Sequence, residues 1–397
     1  MATTHPVRWL SSEMQGAPQH TKMTEGLLVQ HLKALLVTGF GDTVADSVVY
    51  DTEKGLAKAA FSGGHAYLKD SVIEVSGATP ADYNGQHLVT LVDTNNVWFE
   101  LDTVPADATG TITLSYPSLG WSMTHESGDG LIAVFQPAGD LGEVSMRVDN
   151  SPYTGYKKAY HWTAKVEMVT DVVDINTFEK CADDYDHWRS SSDDYDHANN
   201  WKIVGDSRLF HWFTKAGYTD SYSFYEAGYI DSYKAGDRYH FITEGSDNVT
   251  GNDYVGHSLD RGLSGNTYRR MARKHHQLAG FCSIRFLNLI PDIDNVALAG
   301  VSSPNPVDNG FIIQDSPTLI GESLLSNQTE TAITRFDLRG SLPHLREVLT
   351  SNPAYSGKVI YKENRSYFCS LGSCDGESSN DPQYSRLVAF DITPVEV

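Results

Sequence analysis

Residues 61–116, FSGGHAYLKDSVIEVSGATPADYNGQHLVTLVDTNNVWFELDTVPADATGTITLSY, constrain the chain most tightly, because only a succession of short strands satisfies their pattern. β-rich runs at 71–75, 87–92, 97–101 and 111–115 are separated by turn clusters holding Gly77, Pro80, Asn84-Gly85, Asn95-Asn96 and residues 107–110. Ile73 and Val75 alternate with Val72, Glu74 and Ser76, and Ile112 and Leu114 with Thr111 and Thr113. One face of the module is therefore predicted to be buried and the other to meet solvent or a partner. The segment carries no catalytic motif and reads as a scaffold, with the Asn84-Gly85 and Asn95-Asn96 turns as its first candidate interface.

A chain of 397 residues exceeds what one small core organises, so two or three domains are expected. Only 20% of residues are charged, with 33 Gly and 21 Tyr, a balance that suits loops joining many short strands and argues against helical bundles and disorder. With 30 basic and 51 acidic side chains the net charge is −21, which disfavours gripping a phosphate backbone. An acidic surface serves solubility, or lines a conduit through which a polyanion passes without sticking. Cys181, Cys282, Cys369 and Cys374 are too widely spaced for a dense disulfide framework or a CxxC metal site, so reduced thiols are expected. The N-terminal MATTHPVRWLSSEMQG has no basic-then-apolar leader, and no apolar run of about 18 residues occurs, so a soluble chain without a membrane span is expected.

The fold class read from these patterns is mainly β. A polar arm and an amphipathic helix occupy 1–45, a small β-sandwich-like module 46–120, and a larger β-rich domain, divisible into two subdomains, 121–397. In the helix, predicted over 24–40, Leu28, Leu32, Leu35 and Leu36 recur at helical spacing, with Thr24 as N-cap and Gly39 as stop. Its stripe packs on the β module or docks on a neighbouring subunit, and internal packing is the simpler expectation. Further strand-like runs follow at 131–135, 144–148, 160–166, 207–213 and 238–242.

Three features invite chemistry. The pentapeptide DDYDH occurs at 183–187 and again at 193–197, offering carboxylates and imidazoles as metal ligands. It lacks the central Gly and terminal Glu of an EF-hand loop, and His187 and His197 are ten residues apart, so a solvated acidic loop or an intersubunit contact is the simpler reading. The run RRMARKHH at 269–276, with Arg269, Arg270, Arg273 and Lys274, is the basic cluster of an acidic chain and reads as a complement to acidic surface on this or a neighbouring subunit. Tyr218, Tyr222, Tyr225, Tyr229 and Tyr233 supply core, a protein interface or a sugar-stacking surface. No GxSxG elbow, HExxH helix or strand-linked GxGxxG loop is present, so neither a catalytic nor a metal site is assigned.

Several segments carry a resemblance: VRWLSSEMQGAPQ and LLVQHLKALLVTGFG, YNGQHLVTLVDTNNVWFEL with TGTITL, MRVDN at 146–150, WKIVGD at 201–206, RGSLPHL at 339–345 and FDIT at 390–393. Scattered over most of the chain, they are similar to a group of tailed-bacteriophage virion proteins described as structural or tail components. The resemblance implies a non-enzymatic subunit without a cofactor, forming a cyclic homo-oligomer with other tail proteins around the DNA channel. It would serve as a baseplate, tail-tip ring, adaptor or nozzle, assembled in the host cytoplasm and carried in the virion. Candidate interface residues are then Leu28 and Leu32 of the helix, the two Asn turns, the five tyrosines and the four basic residues. The alternative is a receptor- or glycan-binding tail attachment protein using the tyrosines of 218–239, and a glycan-degrading tail enzyme is a third reading.

Overall fold

The computed structural model describes residues 3–19, 24–139, 143–152, 163–181, 186–190, 200–215, 222–245, 268–272, 281–286, 313, 316–323, 337–347, 355–362, 364–373 and 385–396. Within them the chain is mainly β, built of antiparallel sheets with one short helical segment.

The small module is a seven-stranded sheet. Its spatial order is Phe40–Val44, Thr113–Tyr116, Val72–Ser76, Gly85–Val92, Asn96–Phe99, Leu56–Ala60 and Ser47–Asp51. Gly85–Val92 forms its corner: Gly85 to Leu88 pair with Val75 to Val72, and Val89 to Val92 pair with Phe99 to Val97, with a register shift between Val89 and Leu91. A bulge re-aims a strand in this way, so one strand serves both halves of a sandwich. The predicted alternation is observed in part: Ile73, Val75, Ile112 and Leu114 are buried while Ser76 and Thr111 are exposed, but Val72, expected on the open face, is buried as well.

The helical segment is shorter than the pattern predicts and differently capped. It comprises an α-helix, Leu27–Leu32, and a π-helical stretch, Lys33–Thr38, ended as expected by Gly39 at φ 75. A side chain at Gly39 would bring its Cβ 2.5 Å from the Tyr116 carbonyl oxygen, so glycine is required there. Gly26, not Thr24, occupies the N-cap position, with a left-handed φ of 67 and no capping side chain. The cap comes from elsewhere in the chain: the Leu28 N–H donates to Asn150 Oδ1 at 2.9 Å and to Ser190 Oγ at 3.3 Å. At the other end the carbonyls of Leu35 and Leu36 accept the N–H groups of Leu119, Gly120 and Trp121. Both ends, where helix backbone groups lack partners within the helix, are thus tied to later segments.

Further sheets complete the fold. A six-stranded sheet orders Ser122–Glu126, Ile132–Gln136, Ser145–Asp149 and Thr163–Thr170, with Glu179–Lys180 and Asp186–Arg189 both on the last of these. A ten-stranded sheet runs Asp231–Ser232, Asp337–Leu342, Thr318–Ser323, Phe281–Phe286, Tyr268–Ala272, Phe241–Gly245, Tyr222–Tyr229, Leu209–Lys215, Trp201–Gly205 and Arg8–Ser11. Part of it closes on itself. Tyr222–Tyr229 pairs with Phe241–Gly245, and its continuation Asp231–Ser232 pairs with Asp337–Leu342 at the far end of the same run. Six strands thus form a circuit, which removes the free edges an open sheet would present. A four-stranded sheet, Leu345–Glu347, Ser385–Asp391, Arg365–Ser373 and Lys358–Lys362, packs beside it.

Two expectations are corrected here. The N-terminal arm is not an arm: Arg8–Ser11 is a strand of the ten-stranded sheet, paired with Gly205 to Lys202 and buried at all four positions. Asp186 and His187 of the first DDYDH are not a solvated loop but buried strand residues opposite Val166 and Lys165. One Asp186 oxygen is met internally, as Thr243 Oγ1 donates to Oδ2 at 2.7 Å. The rest of the first copy and the whole of the second lie outside the described residues. A single apolar cluster runs from Val7 through the helix leucines and the small module to Phe390 and Ile392, crossing the expected divisions at 45/46 and 120/121.

Candidate functional site

The predicted interface residues do not gather in one place. Leu28 and Leu32 have no exposed surface and belong to the core, so they are removed as docking residues. Full burial of each leucine contributes about 2 kcal/mol to this chain's own stability. Tyr225 and Tyr229 are also core. Tyr225 lies 5.1 Å from the Trp188 ring, and the Tyr229 hydroxyl accepts the Val144 N–H at 2.7 Å and donates to the Val144 carbonyl at 3.0 Å. Tyr233 is exposed, at 53%, and its N–H donates to the Arg339 carbonyl next in sequence to Leu338, itself 41% exposed. Both residues lie near the point where the strand circuit closes. Tyr218, Arg273 and Lys274 lie outside the described residues, as does the side chain of Tyr222. Of Arg269 and Arg270 only the backbone is described, which sets them opposite Glu244 and Thr243.

The two Asn turns are at the surface, but at opposite ends of Gly85–Val92, about 24 Å apart at ~3.4 Å per residue. Each is closed by its own side chains. Asn84 accepts the Ala78 N–H and donates to the Ala78 carbonyl, both at 2.9 Å. Asp93 Oδ1 accepts the N–H groups of Asn95 and Asn96, both at 2.8 Å. Those hydrogen bonds hold the Asp93 carboxyl below its ordinary pKa. Asn84→Ala is expected to lower stability by about 1–2 kcal/mol, because the Ala78 amide and carbonyl both lose their partner. Urea unfolding checks it, and an unchanged midpoint would show that the loop holds without this bridge.

What the structure does assemble is a cleft of about 270 Å³ that no local pattern announces. Three distant parts of the chain wall it: His5 and Val7 to Trp9 near the N-terminus, Asp70, Val72 and Leu88 of the small module, and Tyr361, Asn364 to Ser366, Ile392 and Pro394. Asp70 organises it. Its backbone is left-handed at φ 64, a conformation uncommon for a residue with a side chain. In that conformation its carbonyl accepts the Trp9 indole N–H at 2.8 Å and its Oδ1 accepts the Tyr361 hydroxyl at 2.6 Å. Trp9 in turn stacks on Phe368, centroids 4.7 Å apart and planes 16° from parallel. The tryptophan therefore joins the N-terminal strand, the module and the four-stranded sheet.

Charge in the cleft is opposite in sign to the chain as a whole. Arg8 and Arg365 both line it, against the single carboxylate of Asp70. Arg8 is nine-tenths buried and donates from one terminal nitrogen to Gln86 Oε1 at 3.0 Å, an uncharged acceptor. Burial lowers its pKa, and Glu74 and Asp206 counter that shift through space. His5 is lowered to about 4, by burial first and then by the positive field of Arg8 and by His87, so it is a neutral imidazole at pH 7. Burial and the bond to Asp70 raise the Tyr361 phenol, which remains a hydroxyl donor. The cleft thus offers cationic donors, one acceptor carboxylate, a neutral imidazole and aromatic surface.

Among the described residues no group of three His, Cys, Asp or Glu side chains is placed to hold a metal ion. Nor is any helix there long and apolar enough to cross a membrane. No protein-family model matches the chain, and comparison with curated proteins finds no match either.

Proposed function

We propose that the chain is a structural subunit of a bacteriophage tail, a baseplate, tail-tip ring, adaptor or nozzle component that assembles with copies of itself and with other tail proteins around the DNA channel. One observation carries the reading beyond the sequence resemblance: polar residues of the phage-like segments are spent on internal joints that hold strands, turns and the helix together. Asp206 of WKIVGD takes the His344 imidazole at 2.9 Å, and its carbonyl takes the Trp121 indole N–H at 3.0 Å. His344 belongs to RGSLPHL, whose Arg339 pairs with Asp237 at 2.6 Å. Asn150 of MRVDN caps the helix, and Asp391 of FDIT pairs with Arg346 at 3.2 Å. Burial opposes ionisation of Asp206, but the bonds from His344, Arg208 and Leu209 prevail and hold its carboxyl below the ordinary range.

Residues used in this way serve the fold of the subunit. The exposed residues fit assembly: Tyr233 and Leu338 are exposed apolar side chains, and Phe40–Val44, Ser47–Asp51, Ser122–Glu126 and Lys358–Lys362 end their sheets as edges to which a neighbour can add. Mass spectrometry of purified virions tests the reading together with imaging of labelled particles. A stoichiometric band and density at the tail with cyclic symmetry are expected. Absence from virions overturns it.

A further inference from the structure

Two of the sheet edges carry charge rows of opposite sign and equal spacing. On the edge strand Lys358–Lys362 the side chains of Lys358, Ile360 and Lys362 share one face of the sheet, and both ammoniums are exposed. At the edge that begins with Phe40–Val44, the exposed residues of the run from Asp42 to Asp46 are Asp42, Val44 and Asp46, alternating with half-buried Thr43 and Ala45. Each row sets two like charges four residues apart, about 14 Å at ~3.4 Å per residue, around one aliphatic side chain.

Neither row is answered within the subunit. Lys33, Lys54, Lys69 and Lys180 each reach a carboxylate of their own chain, whereas among the described residues Lys358 and Lys362 reach none, in a chain of net charge −21. Asp42 likewise has no cation, and Asp46 is bonded to Ser62, whose N–H it accepts. Both edges also have backbone to offer. The Ala45 N–H donates to the Ile112 carbonyl, so alternation along the strand turns the Val44 amide outward. Lys358–Lys362 pairs on one side, with Arg365–Ser373, and the Tyr361 hydroxyl bonded to Asp70 fastens it to the small module, which sets its orientation in advance.

Lysine on an edge strand ordinarily keeps sheets apart. Here like rows repel, which forbids an edge from pairing with its own copy, and unlike rows attract, which selects one partner edge. We infer that Lys358–Lys362 of one subunit adds to the Asp42–Asp46 edge of a second copy of this chain. The pairing is antiparallel, like those within the subunit, with Lys358 opposite Asp46, Ile360 opposite Val44 and Lys362 opposite Asp42. The contact is head-to-tail: a pair of copies keeps one edge of each kind open, so the series closes as a ring or continues as a filament. The inference rests on the reading that copies of the chain assemble, and names the surfaces through which they meet.

The purified full-length chain is followed by sedimentation velocity from roughly 1 to 200 µM, where an interface this small is expected to associate with a Kd of about 100 µM or tighter. Lys358→Glu with Lys362→Glu takes no ion pair from the subunit and is expected to weaken association at least about tenfold with an unchanged melting temperature. Asp42→Lys with Asp46→Lys is expected to do the same, and Asp42→Lys alone, which spares the Ser62 bond, to do so in part. An equimolar mixture of the two double variants is expected to associate again, because each reversed row then meets its opposite. Carbodiimide coupling of the parent, read by mass spectrometry on mixed isotope-labelled and unlabelled copies, is expected to join Lys358 to Asp46 and Lys362 to Asp42 between copies. A chain that stays monomeric at roughly 200 µM, association that survives both reversals, or a mixture that stays apart overturns the edge pairing. A self-associating chain absent from virions overturns the tail reading alone, and a virion protein indifferent to the reversals overturns the pairing alone.

Discussion

Asp237→Ala is expected to lower the unfolding free energy by about 3–5 kcal/mol, the cost of leaving a buried guanidinium without its carboxylate. Asp237 and Arg339 are paired at 2.6 Å with both side chains fully buried. The pair sits where the six-strand circuit closes, because Ser232 pairs with Gly340 and the Tyr233 N–H donates to the Arg339 carbonyl. Asp237 also shapes the turn that returns the chain to Phe241–Gly245: its Oδ1 accepts the Tyr239 N–H at 3.0 Å and its carbonyl contacts the His240 ring. Attraction within the pair offsets much of the desolvation each charge pays, so the pair is expected to define the closure more than to add net stability. The double variant Asp237→Leu with Arg339→Met should therefore recover most of the loss, whereas two independent contributions would add. Urea unfolding of the four proteins in the cycle measures this. A single-variant loss below about 1 kcal/mol would show that the circuit closes without the ion pair.

Much of the small module was legible because its pairings are local. Val72–Ser76 meets Gly85–Val92 across one loop, and alternation at Ile73, Val75, Ile112 and Leu114 marks the buried face directly. The N-terminal strand was not legible, because VRWLS is buried on both faces and shows no alternation. Its partner begins at Trp201, whose N–H donates to Ser12 Oγ across 189 residues of chain. Polarity misled at Asp186 and His187 for a related reason: a buried carboxylate is supported by Thr243, which only the folded sheet brings near. The tyrosines of 222–233 show how composition and position diverge, with Tyr225 and Tyr229 in the core and Tyr233 two residues past a kink at the surface. The cleft was invisible to any window of sequence, since Arg8, Asp70 and Tyr361 meet only when three sheets assemble. A polar Arg8 in the otherwise apolar run Val7 to Leu10 was the nearest thing to a signal.

Mild acid is expected to unfold the protein more readily than its carboxylates alone would predict, because buried histidines resist protonation. His31 is lowered from 6.5 to about 4 by burial, with the Gln19 carbonyl pulling weakly the other way, and His5 is lowered to about 4 as well. Burial lowers His87, His211 and His240 in the same direction. Each folded-state value lies below the unfolded one, so as pH falls through 6.5 the unfolded chain binds protons that the folded chain refuses. Stability is complete above that range and is lost between pH 6.5 and 4, by about 2 kcal/mol per group at pH 5 and about 3 at pH 4 for His5 and for His31. His31 also faces Trp201 and Trp212, with centroids 6.3 and 6.2 Å away, and a ring cation there would gain about 0.5–2 kcal/mol from their π systems, less than burial withholds. His31→Gln keeps a donor for the Gln19 carbonyl and removes the titration. Its urea-unfolding free energy should fall by about 2 kcal/mol less than that of the parent between pH 7.5 and 5. Parallel losses would show that His31 already carries a proton in the folded chain. A smaller loss would identify the joint that acid opens first: His31 ties the helix to the Gln19 carbonyl, and the helix is in turn held by Asn150 at one end and by Leu119 to Trp121 at the other, so charging its ring loosens the contact between the small module and the large sheets.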